Sequence, residues 1–220
     1  MTVTETGTRA READECGYAT TDDGLRLYWE RYGSGGPTIV LLPPCPISHS
    51  RLWKAQVHYL ARHHRVVVYD GRGNGNSDCP DVSGPWIDRW RASDCLAVMA
   101  ATSTETAVLG GICGDGVQPS IQIAAEHPER VLGIVAIAPG VPALAPPHPW
   151  REAAHARRDE VLDDPTGWEK ENHHYMRAHH REFLEFFFGE MFPEPHSTKQ
   201  VEDAVAYGLD GSLEALLMET

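Results

Sequence analysis

The sequence predicts an α/β fold, with a mostly parallel, doubly wound sheet covered by helices. Three observations carry this. Thr38–Leu42, Val66–Tyr69, Ala107–Gly111 and Val131–Ala138 are short, continuous apolar runs, the texture of strands buried on both faces. Segments with helical apolar spacing separate them, so strand and helix alternate along the chain. A glycine- or proline-rich loop follows each run, and right-handed crossovers would gather those loops at the C-terminal ends of the strands.

Composition sets the outer limits. The 220 residues are enough for one domain with a sizeable core. A formal charge of −13 argues against nucleic acid or an anionic membrane surface as partner. No apolar run reaches membrane-spanning length, and the N-terminus is polar rather than signal-like. The five cysteines are an odd number without a C-x-x-C pair. They read as free thiols in a reducing cytoplasm.

Residues 1–15 lack apolar periodicity and read as a loose tail. Gly17–Thr21 and Leu25–Tyr32 form a hairpin around Asp22-Asp23-Gly24. The Thr38–Leu42 strand stops at Pro43-Pro44-Cys45-Pro46. Ser50 is placed to cap a helix over Arg51–His63, with Leu52, Trp53, Val57 and Leu60 inward and His63-His64 at its end. Val66–Tyr69 runs into Asp70 and a loop too rich in glycine to be helical. A helix over Trp86–Ala101 precedes the Ala107–Gly111 strand. The next helix ends near His127-Pro128, and Pro119 inside it implies either a kink or a later start.

Beyond Gly140 the texture changes. Residues 142–149 are proline-rich and read as a linker. Helices follow over roughly Pro149–Leu162, Trp168–Phe188, Ser197–Gly208 and Ser212–Met218, with a Ser197/Gln200 capping box. Their many aromatic residues suit either ordinary packing or an apolar lid over the loops. The division is therefore a tail at 1–15, a core at 16–140 and a helical lid at 141–220. The twelve histidines offer no H-E-x-x-H, and His173-His174 and His179-His180 read as solvated residues rather than metal ligands. No cofactor or metal is expected.

The chemistry concentrates in Gly111-Ile112-Cys113-Gly114-Asp115-Gly116. A strand, a tight glycine-flanked turn and a helix around one nucleophilic residue make a nucleophile elbow, here with Cys in place of Ser. Glycines make room for the strained backbone. The helix start offers free N–H groups and a positive dipole end, which should lower the thiol pKa of Cys113. A buried structural cysteine is the competing reading. A phosphate-binding glycine loop fits less well, because neither G-x-G-x-x-G nor G-K-S/T occurs.

Together these residues resemble the α/β-hydrolase fold superfamily over about Gly17–Gly140. Asp70-x-x-Gly73-x-Gly75-x-Ser77-Asp78 resembles the loop after its fourth strand. The elbow resembles its fifth-strand turn, with a Cys nucleophile as in dienelactone-hydrolase-type members. Glu126–Val131 is similar to the link into its sixth strand. The resemblance implies an oxyanion hole made by the N–H groups of Gly114 and Cys45. Pro43-Pro44 stand where the family usually has His-Gly, and Pro46 has no N–H to give. The family's acid and histidine follow the lid, and no such strands are read after Gly140. The expectation is therefore either a portion of a larger hydrolase or a degenerate member, with an uncovered sheet edge beside the sixth strand open to self-association.

Two functions are carried forward. One is hydrolysis of an ester or related carbonyl compound through Cys113. The other is non-catalytic binding of a small, apolar molecule on the same scaffold.

Overall fold

The computed structural model describes residues 11–80, 88–141 and 148–219. Residues 1–10 of the expected tail, the start of the expected Trp86–Ala101 helix and most of the 142–149 linker lie outside them. The expected alternation is present. Strands β1 (Glu15–Thr20), β2 (Arg26–Tyr32), β3 (Ile39–Leu41), β4 (Val66–Tyr69), β5 (Ala107–Ile112) and β6 (Val131–Ile137) form one sheet in the order β1-β2-β4-β3-β5-β6. From β4 to β6 all pairings are parallel, and the β1 hairpin joins antiparallel through β2.

Strand period two explains the two-sided burial. Val40, Leu42, Val67 and Tyr69 enter one core with Val98 and Met99 of α2 (Asp88–Ala101) and Ile123 of α3 (Cys113–Glu126). Leu41, Val66 and Val68 point the other way and pack with Trp53 and with Val57 of α1 (Lys54–Leu60). Each side chain so buried contributes roughly 1.5–3 kcal/mol, so the apolar runs fix which way the strands face. The Trp53 indole N–H donates to the Leu42 carbonyl at 2.8 Å and closes the end of β3.

After β6 the chain makes α4 (Pro149–Ala156), α5 (His173–Ala178), α6 (His180–Met191), α7 (Thr198–Leu209) and α8 (Leu213–Glu219). These helices have an apolar core of their own. Phe183, Phe188, Leu184 and Met176 are fully buried there, and the loop after β3 contributes Cys45 and Ile47. The aromatic residues therefore pack chiefly among themselves and seat on that loop.

Several local expectations are corrected. β1 begins at Glu15, and the Asp14 carboxylate accepts the Gly33 N–H at 2.6 Å, so the end of the expected tail is held in place. The first helix is shorter than expected: a 3₁₀ turn over Ser50–Trp53 precedes α1, which ends at Leu60. His49 is the cap, its ring accepting the Arg51 N–H, while the Ser50 hydroxyl goes to Asp70. No Ser197/Gln200 box forms, and the Ser197 hydroxyl turns back to Glu194. The long helix expected over Trp168–Phe188 is broken because Asn172 caps a new start, accepting from His174 N and Tyr175 N. His173 is pinned to Asp159 at 2.8 Å rather than solvated.

β6 is the last strand of the sheet, with exposed Leu132, Val135 and Ile137. The uncovered edge expected from the sequence is thus present among the described residues.

Candidate active site

The C-terminal ends of the parallel strands lie level, with Leu41 opposite both Val68 and Gly110. That register delivers the Pro43–Pro46 loop, the Asp70 loop, Cys113 and the start of the chain after β6 to one rim.

Asp70 organises its loop and is buried. Its Oδ1 accepts from the Ser50 N–H at 3.0 Å and the Ser50 hydroxyl at 2.6 Å, and its Oδ2 accepts from the Asn76 N–H at 2.9 Å. Gly75 has a φ of +53°, and a Cβ there would overlap the Asp70 carboxylate. Next along, Arg72 is buried between two acids. It reaches Asp94 through Nε and Nη2 at 2.7 Å each, and Asp23 through Nη1 at 2.6 Å. Hydrogen bonds from Arg72 hold the Asp23 carboxyl down at about 2, while burial raises that of Asp94 despite the same partner.

Cys113 is the first residue of α3, and Ile112 is its cap. Its φ is +59°, a left-handed backbone that a non-glycine residue seldom adopts. The strand and helix meet closely behind it. A Cβ on Gly111 would overlap the Gly116 carbonyl, and one on Gly116 would lie 3.0 Å from Gly111 Cα. The helix runs unbroken through Pro119. Of the two alternatives drawn from that proline, a kink or a later start, the later start is excluded, because α3 begins at Cys113. Pro119 brings no N–H to the carbonyl four residues back, and Ser120 Oγ bonds the Gly116 carbonyl at 2.8 Å.

The other two predicted site residues are neighbours of Cys113. Gly114 is second in α3, so its N–H has no acceptor within the helix. Cys45 is buried on the loop after β3, close enough for its thiol to interact electrostatically with Asp115 and Cys113. Burial pushes the Cys45 thiol up to about 12. Between these loops and α2 lies a small cavity of about 50 Å³, open at its mouth. Pro43, Cys45, Pro46, Tyr69, Trp90, Asp115 and Pro119 line it among others.

The expected lowering of the Cys113 pKa is corrected. Burial raises it, the Asp115 carboxylate adds to the rise, and Arg151 of α4 opposes both. The helix start is present, but burial and the carboxylate two residues along outweigh it at this thiol. Sequence reading missed Arg91 of α2, which pairs with Asp115, and it missed Arg151. Asp115 within the elbow was a visible signal for the first. Nothing in the spacing marked the second. Among the described residues no group of three or more His, Cys, Asp or Glu is placed to hold a metal. No helix among them is long and apolar enough to cross a membrane.

Known proteins share this architecture. A sequence profile of the alpha/beta hydrolase fold matches residues 37–184. A protein of Azorhizobium caulinodans with the provisional name carbamate hydrolase RutD is 32% identical over 116 residues, 50% of this chain and 40% of that protein. A non-heme chloroperoxidase of Streptomyces lividans is 28% identical over 129 residues, 58% of this chain and 46% of that one. The chain thus spans less than half the length of these curated relatives. An esterase from Exiguobacterium antarcticum superposes with a TM-score of 0.74 at 18% identity, covering 92% of this chain and 71% of that one. At that identity the likeness is one of fold.

Proposed function

The chain belongs to the alpha/beta hydrolase fold family, and from that membership we propose that it hydrolyses an ester or related carbonyl compound with Cys113 as the nucleophile. The observation that carries this reading is the backbone of Cys113, at φ +59° between a buried strand and the first turn of a helix. An L-residue there costs about 1–2 kcal/mol. The conformation lifts a side chain clear of the strand end, which a nucleophile needs.

The chemistry follows. The Cys113 thiolate attacks the carbonyl carbon, and the carbonyl electron pair moves onto oxygen. The N–H groups of Gly114 and Cys45 receive that oxyanion, each donor being worth on the order of 3 kcal/mol in the transition state. Collapse expels the alkoxide, which takes a proton from solvent to leave as the alcohol, and forms a thioester, which water cleaves to the carboxylate and the thiol with release of one proton. Residues 16–140 form the hydrolase core and 141–220 the lid. An apolar small molecule is supported by the Pro43, Pro46, Tyr69, Trp90 and Pro119 walls of the cavity, which Arg72, Asn74, Arg91, Asp94 and Asp115 line too. Cytoplasmic residence is supported by the five cysteines, all free. Self-association of two copies through β6 is supported by a strand without a charged residue or a proline along its length.

Turnover of an aryl ester by the wild type, falling to background in Cys113→Ala, is the expected result. A second reading has its own support. Burial and Asp115 hold the thiol protonated, which favours a binder over an enzyme. Equal ligand affinity in the wild type and Cys113→Ala, with turnover in neither, would establish that reading instead.

A further inference from the structure

The left-handed backbone of Cys113 has a neighbour. Ile112 lies opposite Ile137 in the β5–β6 register, so Cys113 and Ala138 leave the sheet side by side. Ala138 has a φ of +44°, beside the +59° of Cys113. Two adjoining parallel strands are thus each followed by a strained L-residue, and such strain collects at functional sites. The turn at Ala138 leads the chain to the elbow. A Cβ on Gly114 would lie 2.8 Å from the Gly140 carbonyl oxygen, so the two backbones touch there. In the other direction, a Cβ on Gly140 would lie 3.4 Å from the Gly114 nitrogen and 3.9 Å from Gly114 Cα, with no other described atom within 4 Å. The empty place beside Gly140 therefore borders the Gly114 nitrogen. Gly140 is exposed, so that place is open to solvent. The Gly114 N–H donates to no described residue, the Gly140 carbonyl included.

We propose that Gly140 is a positioning residue of the oxyanion site: lacking a side chain, it leaves beside the Gly114 N–H the room that a carbonyl oxygen needs. The inference rests on the hydrolase reading, in which Cys113 attacks and the Gly114 N–H receives the oxygen. The distances carry it. An oxygen held in such a site stands about 2.7–3.1 Å from the donor nitrogen. A methyl carbon 3.4 Å from the same nitrogen competes with that oxygen for the same side of Gly114. The methyl is nonetheless in ordinary contact with the backbone, and the φ of Gly140 lies outside the left-handed region. Alanine at this position should therefore fold, and glycine is needed there for room rather than for backbone freedom.

The test compares Gly140→Ala with the wild type through a reversible adduct and needs no turnover. The Cys113 thiol adds to butyraldehyde: an S–C bond forms, the carbonyl π pair moves onto oxygen, and the thiol proton ends there. The adduct shields Cys113 from iodoacetamide, as read by peptide mass mapping, with the exposed Cys16 as internal control. In Gly140→Ala the half-protecting aldehyde concentration should rise roughly tenfold, because the adduct oxygen loses a donor. The alkylation rate without aldehyde and the thermal midpoint should stay at their wild-type values. Ester kcat should fall by a similar factor with KM held. A merely structural role would move the midpoint or the rate without aldehyde instead. Absent protection in the wild type, equal half-protecting concentrations in the two proteins, or a rate without aldehyde lowered by the same factor overturns the inference. The wild-type adduct gives a second measurement should Gly140→Ala not fold. The Gly140 Hα protons should show a nuclear Overhauser effect to the former aldehyde proton, and its absence overturns the inference as well. Failure of the hydrolase reading appears separately, as absent ester turnover with the aldehyde results intact.

Discussion

Gly111 Cα lies 3.0 Å from where a Cβ on Gly116 would stand, so β5 and α3 meet backbone to backbone beneath Cys113. In the other direction the fit is tighter still, since a Cβ on Gly111 would overlap the Gly116 carbonyl and lie 2.8 Å from the Val117 nitrogen. Gly111→Ala should therefore destabilise the chain by roughly 1–3 kcal/mol, the usual cost of overpacking. Gly116→Ala should cost less. Urea unfolding of the two variants measures the difference, and equal stabilities would contradict this account of the turn.

The Cys113 thiol is raised by burial and then by Asp115. Removing that carboxylate should move the thiol back towards its ordinary value. Asp115→Asn should therefore be alkylated by iodoacetamide faster than the wild type at pH 8, with its rate profile displaced to lower pH. Loss of the opposing Arg151 charge should displace the profile the other way.

Acid stability should depend on Asp23. Its carboxyl is held at about 2 in the folded chain by Arg72, against 3.8 ordinarily. A depressed carboxyl stabilises the fold above its unfolded value and loses that contribution as pH falls through the folded one. The wild type should thus lose stability between about pH 4 and 2, and Asp23→Asn should flatten that part of the curve in urea titrations. Arg72→Met leaves the buried Asp94 without its partner and should cost roughly 3–5 kcal/mol at neutral pH.

Val135 is 51% exposed on the outermost strand. If two copies join through β6, Val135→Lys should shift sedimentation towards the monomer while leaving the thermal midpoint of the monomer little changed. An unaltered distribution would remove β6 as the contact.

Much of this was readable from residue order. The bounds of β4 are the apolar run Val66–Tyr69, because a strand buried on both faces has no polar position to blur its ends. The strand, turn and helix around Cys113 were readable too, because an apolar run ends in glycines immediately before them. What was not legible depends on partners distant in sequence. Ser50 looks like a cap until Asp70 arrives to take its hydroxyl. Ser197 looks like one until Glu194 turns towards it. The direction of the Cys113 shift is decided by burial under a helical layer and by Asp115, and spacing reports neither its depth nor its charge balance.

Cys45 has two allegiances. In sequence it belongs to the loop that follows β3, yet its side chain is part of the apolar core shared by α5, α6, α7 and α8. A change in how those helices pack would therefore be felt directly by the loop that follows β3, with no intermediary residue between them.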